Sequence, residues 1–240
     1  MILWKQKKLL LKKRNITIAE VGIWNNTISE DKEKRKKAIQ IAAKQLHMAD
    51  EEGILCCVNG TGNIYKEWDE IGDNNLDNDK YELIVDTIRE IIDEVQPRQT
   101  FYTVEPLPWS IPNSPEMYLK LLKDVDRKAF AVHLDYTNMI NSTEKYMRRN
   151  EFIRYCFKLL GPNIKGIHSK DIIMVKSLPC HIKEVIPGEG KIDFKVVFEC
   201  VRNLNLDIPI LVEHLSSIEQ YRKGLNYLNK YWKKWKKVAK

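Results

Sequence analysis

Short apolar runs alternate along this chain with longer stretches whose apolar residues recur every three or four positions, and few folds accommodate that alternation. The β-like runs cover 16–23, 54–58, 100–104, 129–134, 164–168 and 208–212. Helical patterns fill 32–51, 77–95, 115–124, 143–160, 191–204 and 216–237. In the second of these, Leu83, Ile84, Ile88, Ile91, Ile92 and Val95 form one buried face. In the last, Ile218, Tyr221, Leu225, Leu228, Trp232 and Trp235 do the same. Strand–helix–strand repetition implies an α/β fold, a parallel sheet covered by helices. The longest irregular stretches, 59–76 and 172–190, both follow β-like runs. In a parallel barrel those loops lie at the catalytic face.

At 240 residues the chain is long enough for one α/β domain of barrel size or two small ones, and no composition break divides it. It is 43% hydrophobic and 30% charged, and no run approaches the ~18–20 apolar residues of a membrane span. The N-terminal MILWKQKKLLLKKRN lacks a clean apolar core and a small-residue cleavage site, so the expected location is cytoplasmic, with no membrane partner. The five cysteines (Cys56, Cys57, Cys156, Cys180, Cys200) form no CxxC pair and sit in apolar surroundings, which reads as reduced thiols. The net charge of +7 resides mostly at the two ends, around Lys5 to Arg14 and Lys230 to Lys240, so no nucleic-acid partner is expected.

Four chemistry-bearing residues stand at the ends of four β-like runs: Glu105, Asp135, His168 and Glu213. Strand ends on one face of a barrel converge, so these four meet in one pocket. Carboxylates with one imidazole suit Mn²⁺, Mg²⁺ or Co²⁺ rather than a thiolate-bound structural zinc. His133 lies two residues before Asp135, on the same side of its strand, and reads either as part of the site or as an interior residue satisfied by a neighbour. Asn138 opens the following loop, as a site residue or a turn-former. Lys170 shares a side with His168 and either holds a substrate oxygen or ion-pairs with Asp171 or Glu213. Pro187-Gly188-Glu189-Gly190 and Asn59-Gly60-Thr61-Gly62 are glycine turns able to cradle a phosphate, or simply turns.

An ordered set of pieces resembles the sugar phosphate isomerase/epimerase superfamily, the xylose-isomerase-like TIM barrels. It runs through Val104-Glu105-Pro106 with Trp109, His133-Leu134-Asp135 with Asn138, and His168-Ser169-Lys170-Asp171. It continues through His181-Ile182-Lys183-Glu184-Val185 and Pro187-Gly188-Glu189-Gly190-Lys191-Ile192-Asp193, ending at Glu213-His214-Leu215. The resemblance implies a single TIM-type (β/α) barrel domain over 1–240. It implies a divalent metal (Mn, Mg or Co, with Zn also admissible) on Glu105, Asp135, His168 and Glu213, and catalysis by Glu105 and Glu213. The reaction implied is isomerisation or epimerisation of a sugar, polyol or sugar phosphate, by proton transfer through a metal-bound enediolate. Trp109, His133, Asn138, Lys170, His181 and Glu184 are the implied substrate-binding residues. Where the epimerases carry a histidine and an arginine this chain has Asn138 and Met174, so its sugar-binding shell differs.

About six β/α units are visible where a closed barrel has eight, so the expected barrel is incomplete at its N-terminus. Two open strand edges would follow, with self-association, a homo-oligomer covering the edge, a partner, or further upstream units as ways to cover them. Two other functions stay open: a non-catalytic truncated barrel acting as a binding or remnant module, and an apurinic-endonuclease-like phosphodiesterase. The second uses a three-zinc cluster, for which five histidines are few.

Overall fold

Among the described residues, six of the eight strands run parallel in one curved sheet, and each after the first is reached through a helical crossover. The computed structural model describes residues 2–236. Helix α1 (Ile2–Lys13) leads to β1 (Glu20–Gly22), α2 (Lys32–Glu52), β2 (Cys56–Asn59), α3 (Asn78–Val95), β3 (Phe101–Val104), α4 (Pro115–Val125) and β4 (Phe130–Leu134). Then come α5 (Thr143–Met147), α6 (Arg149–Leu160), β5 (Ile164–Ser169), a hairpin of β6 (Asp171–Val175) and β7 (His181–Val185), α7 (Phe194–Leu204), β8 (Ile210–Val212) and α8 (Ile218–Lys236). The sheet order is β1-β2-β3-β4-β5-β8, all neighbours parallel. This is a TIM-barrel fold that is incomplete: six strands form an open trough, with β1 and β8 as its edges. No helix among the described residues is long and apolar enough to cross a membrane.

The expected helices and parallel strands are present, with three differences. The pattern at 143–160 is two helices, because Arg148 leaves helical geometry at φ −103°, ψ 26°. The first strand is three residues long rather than eight, since an edge strand is held by one neighbour only. The stretch 172–190 is mostly an antiparallel hairpin, pairing Asp171–Val175 with His181–Val185. The C-terminal limit expected at 237 lies outside the described residues.

Strands β2 and β4 are buried at every residue, as expected for a parallel sheet covered on its outer face and closed over its inner one. The outer layer is packed by α2 (Ala42, Ala43, Leu46, Ala49), α3 (Ile84, Ile88, Ile91, Ile92) and α4 (Tyr118, Leu121, Val125). Four cysteines are buried and none is bonded to another, in line with reduced thiols.

Two polar devices shape the face where the strands end. The first is the fully buried Tyr118. Its hydroxyl donates to Val104 O (2.6 Å) and accepts from Val104 N (3.2 Å) and His133 N (3.1 Å). The β4–β5 register shifts between Val132 and His133, so the phenol satisfies backbone groups at an irregularity in the ladder. The second is Asp171, 1% exposed. Its carboxylate accepts from the backbone N–H of Ile172, Gly188, Gly190 and Ile192, each at 2.9 Å. Gly188 stands at φ +100°, which a side chain would strain. The amides that a phosphate would use in this turn are therefore committed to an internal carboxylate that pins the hairpin.

Tyr118→Phe keeps the ring but removes the oxygen that joins β3 to β4. It should lower the unfolding free energy by ~1–3 kcal/mol, the range for unsatisfied buried groups. The expected readout is a lower denaturant midpoint at unchanged slope.

Candidate metal centre

Parallel pairing brings the ends of β3, β4, β5 and β8 together, and with them four residues spread over more than a hundred positions of sequence. Glu105 follows β3, its N–H held by Asn59 O at 2.9 Å. Asp135 follows β4, His168 lies within β5, and Glu213 follows β8. One ligand atom from each lies within 4.8 Å of the others. Three of the four are buried and Glu213 is nearly so. His168 Nδ1 is 3.0 Å from both Glu105 Oε1 and Glu213 Oε2. Asp135 Oδ1 accepts from Thr137 Oγ1 (2.6 Å) and Asn138 N (2.9 Å).

Lys170 enters this group from the strand end beside His168. Its Nζ lies 2.6 Å from Glu213 Oε1, 2.8 Å from Asp135 Oδ2, 3.7 Å from Glu105 Oε1 and 3.2 Å from Asn138 Oδ1. Asp135 Oδ2 and Glu213 Oε1 nonetheless receive no well-directed hydrogen bond. They are charged oxygens held by proximity to an ammonium, with lone pairs still free for a cation. Asn138 bridges the site, donating from Nδ2 to Glu105 Oε1 (3.2 Å) and Pro106 O (3.0 Å).

Charge sets the protonation of the group. Burial works against ionising Asp135, but the Lys170 and His168 charges win and hold it at about 2. Burial likewise raises Glu213, and the His168 hydrogen bond and Lys170 charge outweigh it, so it lies below the usual range. Glu105 goes the other way, raised by burial and by the neighbouring Asp135 and Glu213 carboxylates. Burial opposes the charge on His168, yet hydrogen bonds to Glu105, Glu20 and Glu213 push it up to about 12. Lys170 is raised too, its own burial outweighed by the carboxylates around it. Among the three carboxylates of the cluster, Glu105 alone is shifted up and so binds its proton more tightly than usual. Hard oxygen donors with one imidazole and unsatisfied lone pairs fit a divalent ion.

Trp109, Asn138, Lys170, His181 and Glu184 all line one cavity of about 610 Å³, with the β6–β7 hairpin as a wall. That size lies within the range of small-molecule sites. His181 and Glu184 come from β7. Glu184 Oε2 also meets His214 Nδ1 at 3.2 Å. His133 is placed elsewhere: fully buried in the trough, its Nε2 donates to Glu20 Oε2 at 2.7 Å. Gly166 is paired opposite, where a Cβ would stand 2.9 Å from the imidazole.

Glu20, on β1, is the site residue that sequence reasoning passed over. It reaches across the trough to His133 and to His168 Nε2 (3.2 Å). Its carboxylate is raised by burial and lowered further by both imidazoles, to about 2. The available signal was a charged residue inside the apolar run Ile18-Ala19-Glu20-Val21-Gly22-Ile23. His47 lies exposed on α2, 3.5 Å from Glu51, and belongs to neither the Glu105/Asp135/His168/Glu213 group nor the Glu20/His133/His168 group.

The fold is shared with solved structures of low sequence identity. A D-tagatose 3-epimerase-like protein superposes with a TM-score of 0.73 at 18% identity, over 98% of this chain and 84% of the other. The 3-keto-D-glucoside 4-epimerase of E. coli gives 0.69 at 15%, over 93% and 82%. A xylose isomerase-like TIM barrel protein from Mycobacterium smegmatis, in complex with magnesium, gives 0.69 at 14%, over 93% and 77%. None of the curated protein sequences matches the chain. The sequence profile of the xylose isomerase-like TIM barrels, in contrast, matches residues 4–231, nearly the whole length. The chain belongs to the xylose isomerase-like TIM barrel family.

Proposed function

We propose that the protein is a divalent-metal-dependent isomerase or epimerase of a sugar, polyol or sugar phosphate. The observation that carries this reading is the convergence of Glu105, Asp135, His168 and Glu213 within 4.8 Å beside a cavity of sugar size. The 3-keto-D-glucoside 4-epimerase among the neighbours, and the magnesium in the structure of the Mycobacterium smegmatis protein, support the same reading. Mn²⁺, Mg²⁺ or Co²⁺ suits the donor set. The chemistry such an ion supplies when bound is polarisation of a carbonyl and its adjacent hydroxyl, which acidifies the carbon between them.

The remaining roles follow from the chain's own residues. Glu105 and Glu213 each stand 3.0 Å from His168 Nδ1, one raised and one lowered in proton affinity. Carboxylates pushed apart in this way divide acid and base work. Glu213, ionised, takes the proton from the carbon; Glu105 returns one. Lys170 stays protonated and donates to the substrate oxygen on which charge accumulates. Trp109, Asn138, His181 and Glu184 bound the cavity that orients the substrate.

One observation favours a second reading, a non-catalytic barrel. Lys170 lies 2.6–2.8 Å from two of the carboxylates, where its charge compensates them in part without a metal. Metal uptake separates the two readings. Calorimetry with Mn²⁺, followed by a sugar and polyol panel monitored for solvent deuterium at carbon, tests the proposal directly.

Replacing His168 or Glu213 by Ala should weaken Mn²⁺ binding by more than the ~10–100-fold typical of outer-shell partners. Equal affinity in wild type and both variants would place the metal elsewhere. The surrounding carboxylates raise the proton affinity of His168, and a metal needs the Nδ1 lone pair that a ring proton would occupy, so uptake should release a proton and tighten as pH rises. Titrations in buffers of different ionisation enthalpy read this as a linear change in apparent enthalpy. Glu105→Gln and Glu213→Gln should each cut exchange of the substrate α-proton by ~10²–10⁴-fold. Undiminished exchange in both variants would remove them from the mechanism.

A further inference from the structure

Glu20 stands on the edge strand β1, whose backbone pairs only with β2, yet its side chain ends against two imidazoles from β4 and β5. Each carboxylate oxygen has its own ring. Oε2 takes His133 Nε2 at 2.7 Å and Oε1 takes His168 Nε2 at 3.2 Å. An ionised carboxylate only accepts, so both rings must present an N–H to it. The rings themselves meet edge to face, with centroids 4.1 Å apart.

The two histidines are not equivalent. His133 has one polar contact for its ring: Nδ1 is buried and unpartnered. An unsatisfied buried nitrogen is destabilising. Gly166 leaves the space that this ring needs, so the local structure accommodates His133 despite that penalty. Among the described residues, the one polar partner of the His133 ring is Glu20. His168, in contrast, is used at both ends. Its Nε2 faces Glu20, and its Nδ1 faces Glu105 and Glu213, both at 3.0 Å. An imidazole that ligates a metal through one nitrogen needs its proton on the other, and the acceptor of that proton fixes ring orientation and tautomer.

We propose that Glu20 is a positioning residue: braced by His133, it accepts the Nε2–H of His168 and so fixes that ring with Nδ1 directed at Glu105, Asp135 and Glu213. The inference deepens the metal-dependent reading above and rests on it for its consequence, though not for the hydrogen bond itself. Glu20 touches no atom of the four-residue cluster other than His168 among the contacts of its side chain, so it acts through that ring.

The test uses the full chain labelled with ¹⁵N at histidine. With Mg²⁺ bound, long-range ¹⁵N–¹H spectra of wild type should show His168 protonated at Nε2 and bare at Nδ1. The opposite tautomer in wild type overturns the proposal without any variant. Glu20→Ala should weaken Mn²⁺ binding, read by the free-ion EPR signal, by ~10–100-fold. Glu20→Gln, of equal size and with one acceptor oxygen left, should recover part of that loss. Lower thermal stability in both variants with unchanged Mn²⁺ affinity and unchanged His168 tautomer would make Glu20 a packing residue only, and overturn the proposal. A wild type that takes up no Mn²⁺ sinks the metal-dependent function. In that event the His168 Nε2–H of the unliganded protein must still be protected from exchange in wild type and lose that protection in Glu20→Ala; if it does not, the Glu20 proposal fails as well.

Discussion

Negative charge buried at the ends of parallel strands is the constraint that organises this molecule. Glu105, Asp135 and Glu213 are drawn together by sheet pairing, and each would be unstable alone in so dry a place. His168 and Lys170 supply the compensating charge, from one strand and its immediate end. The compensation is partial. Asp135 and Glu213 stay ionised, while Glu105 is driven toward its protonated form. A site with one carboxyl of raised proton affinity and two carboxylates beside a lysine suits either a divalent ion or proton transfer, and the proposed function uses both.

The supporting structure follows from keeping those groups in place. Lys170 and Asp171 are neighbours with opposite duties. The lysine turns into the cluster, and the aspartate turns away to gather four backbone amides from the following turn. That second contact pins the hairpin which walls the cavity, so one short segment sets both the charge and the boundary of the site. On the opposite side, the Tyr118 hydroxyl satisfies β4 where its register shifts, two residues before Asp135. A buried phenol with four backbone contacts anchors a strand end whose side chain must be placed to a fraction of an ångström.

The open trough also explains why Glu20 matters. In a sheet of six strands, β1 and β8 lack a second neighbour, and backbone pairing alone would leave β1 free to splay. Glu20 ties that edge to β4 and β5 through side chains instead. The same contact reaches His168 of the proposed site, so one carboxylate both joins the edge strand to β4 and β5 and, in the proposal, orients that ring.

The sequence by itself determined the alternation of strands and helices, hence the parallel sheet, and it placed Glu105, Asp135, His168 and Glu213 at strand ends. Those features are local: a period of two or of three to four can be read in any window, and the residue after a strand is known once the strand is. It also placed Lys170 on the side of His168, through simple alternation. Tertiary structure decided what depends on distance in space. Glu20 meets its partners 113 and 148 residues away, across the curvature of the sheet, which no local period encodes. The Pro187–Gly190 turn reads in sequence as a phosphate cradle or a plain turn, and only the folded chain shows its amides filled by Asp171. His133 reads in sequence as a site residue or as an interior residue satisfied by a neighbour, because alternation gives its side but not its depth; in the folded chain it is buried beside Gly166 with its Nε2 on Glu20.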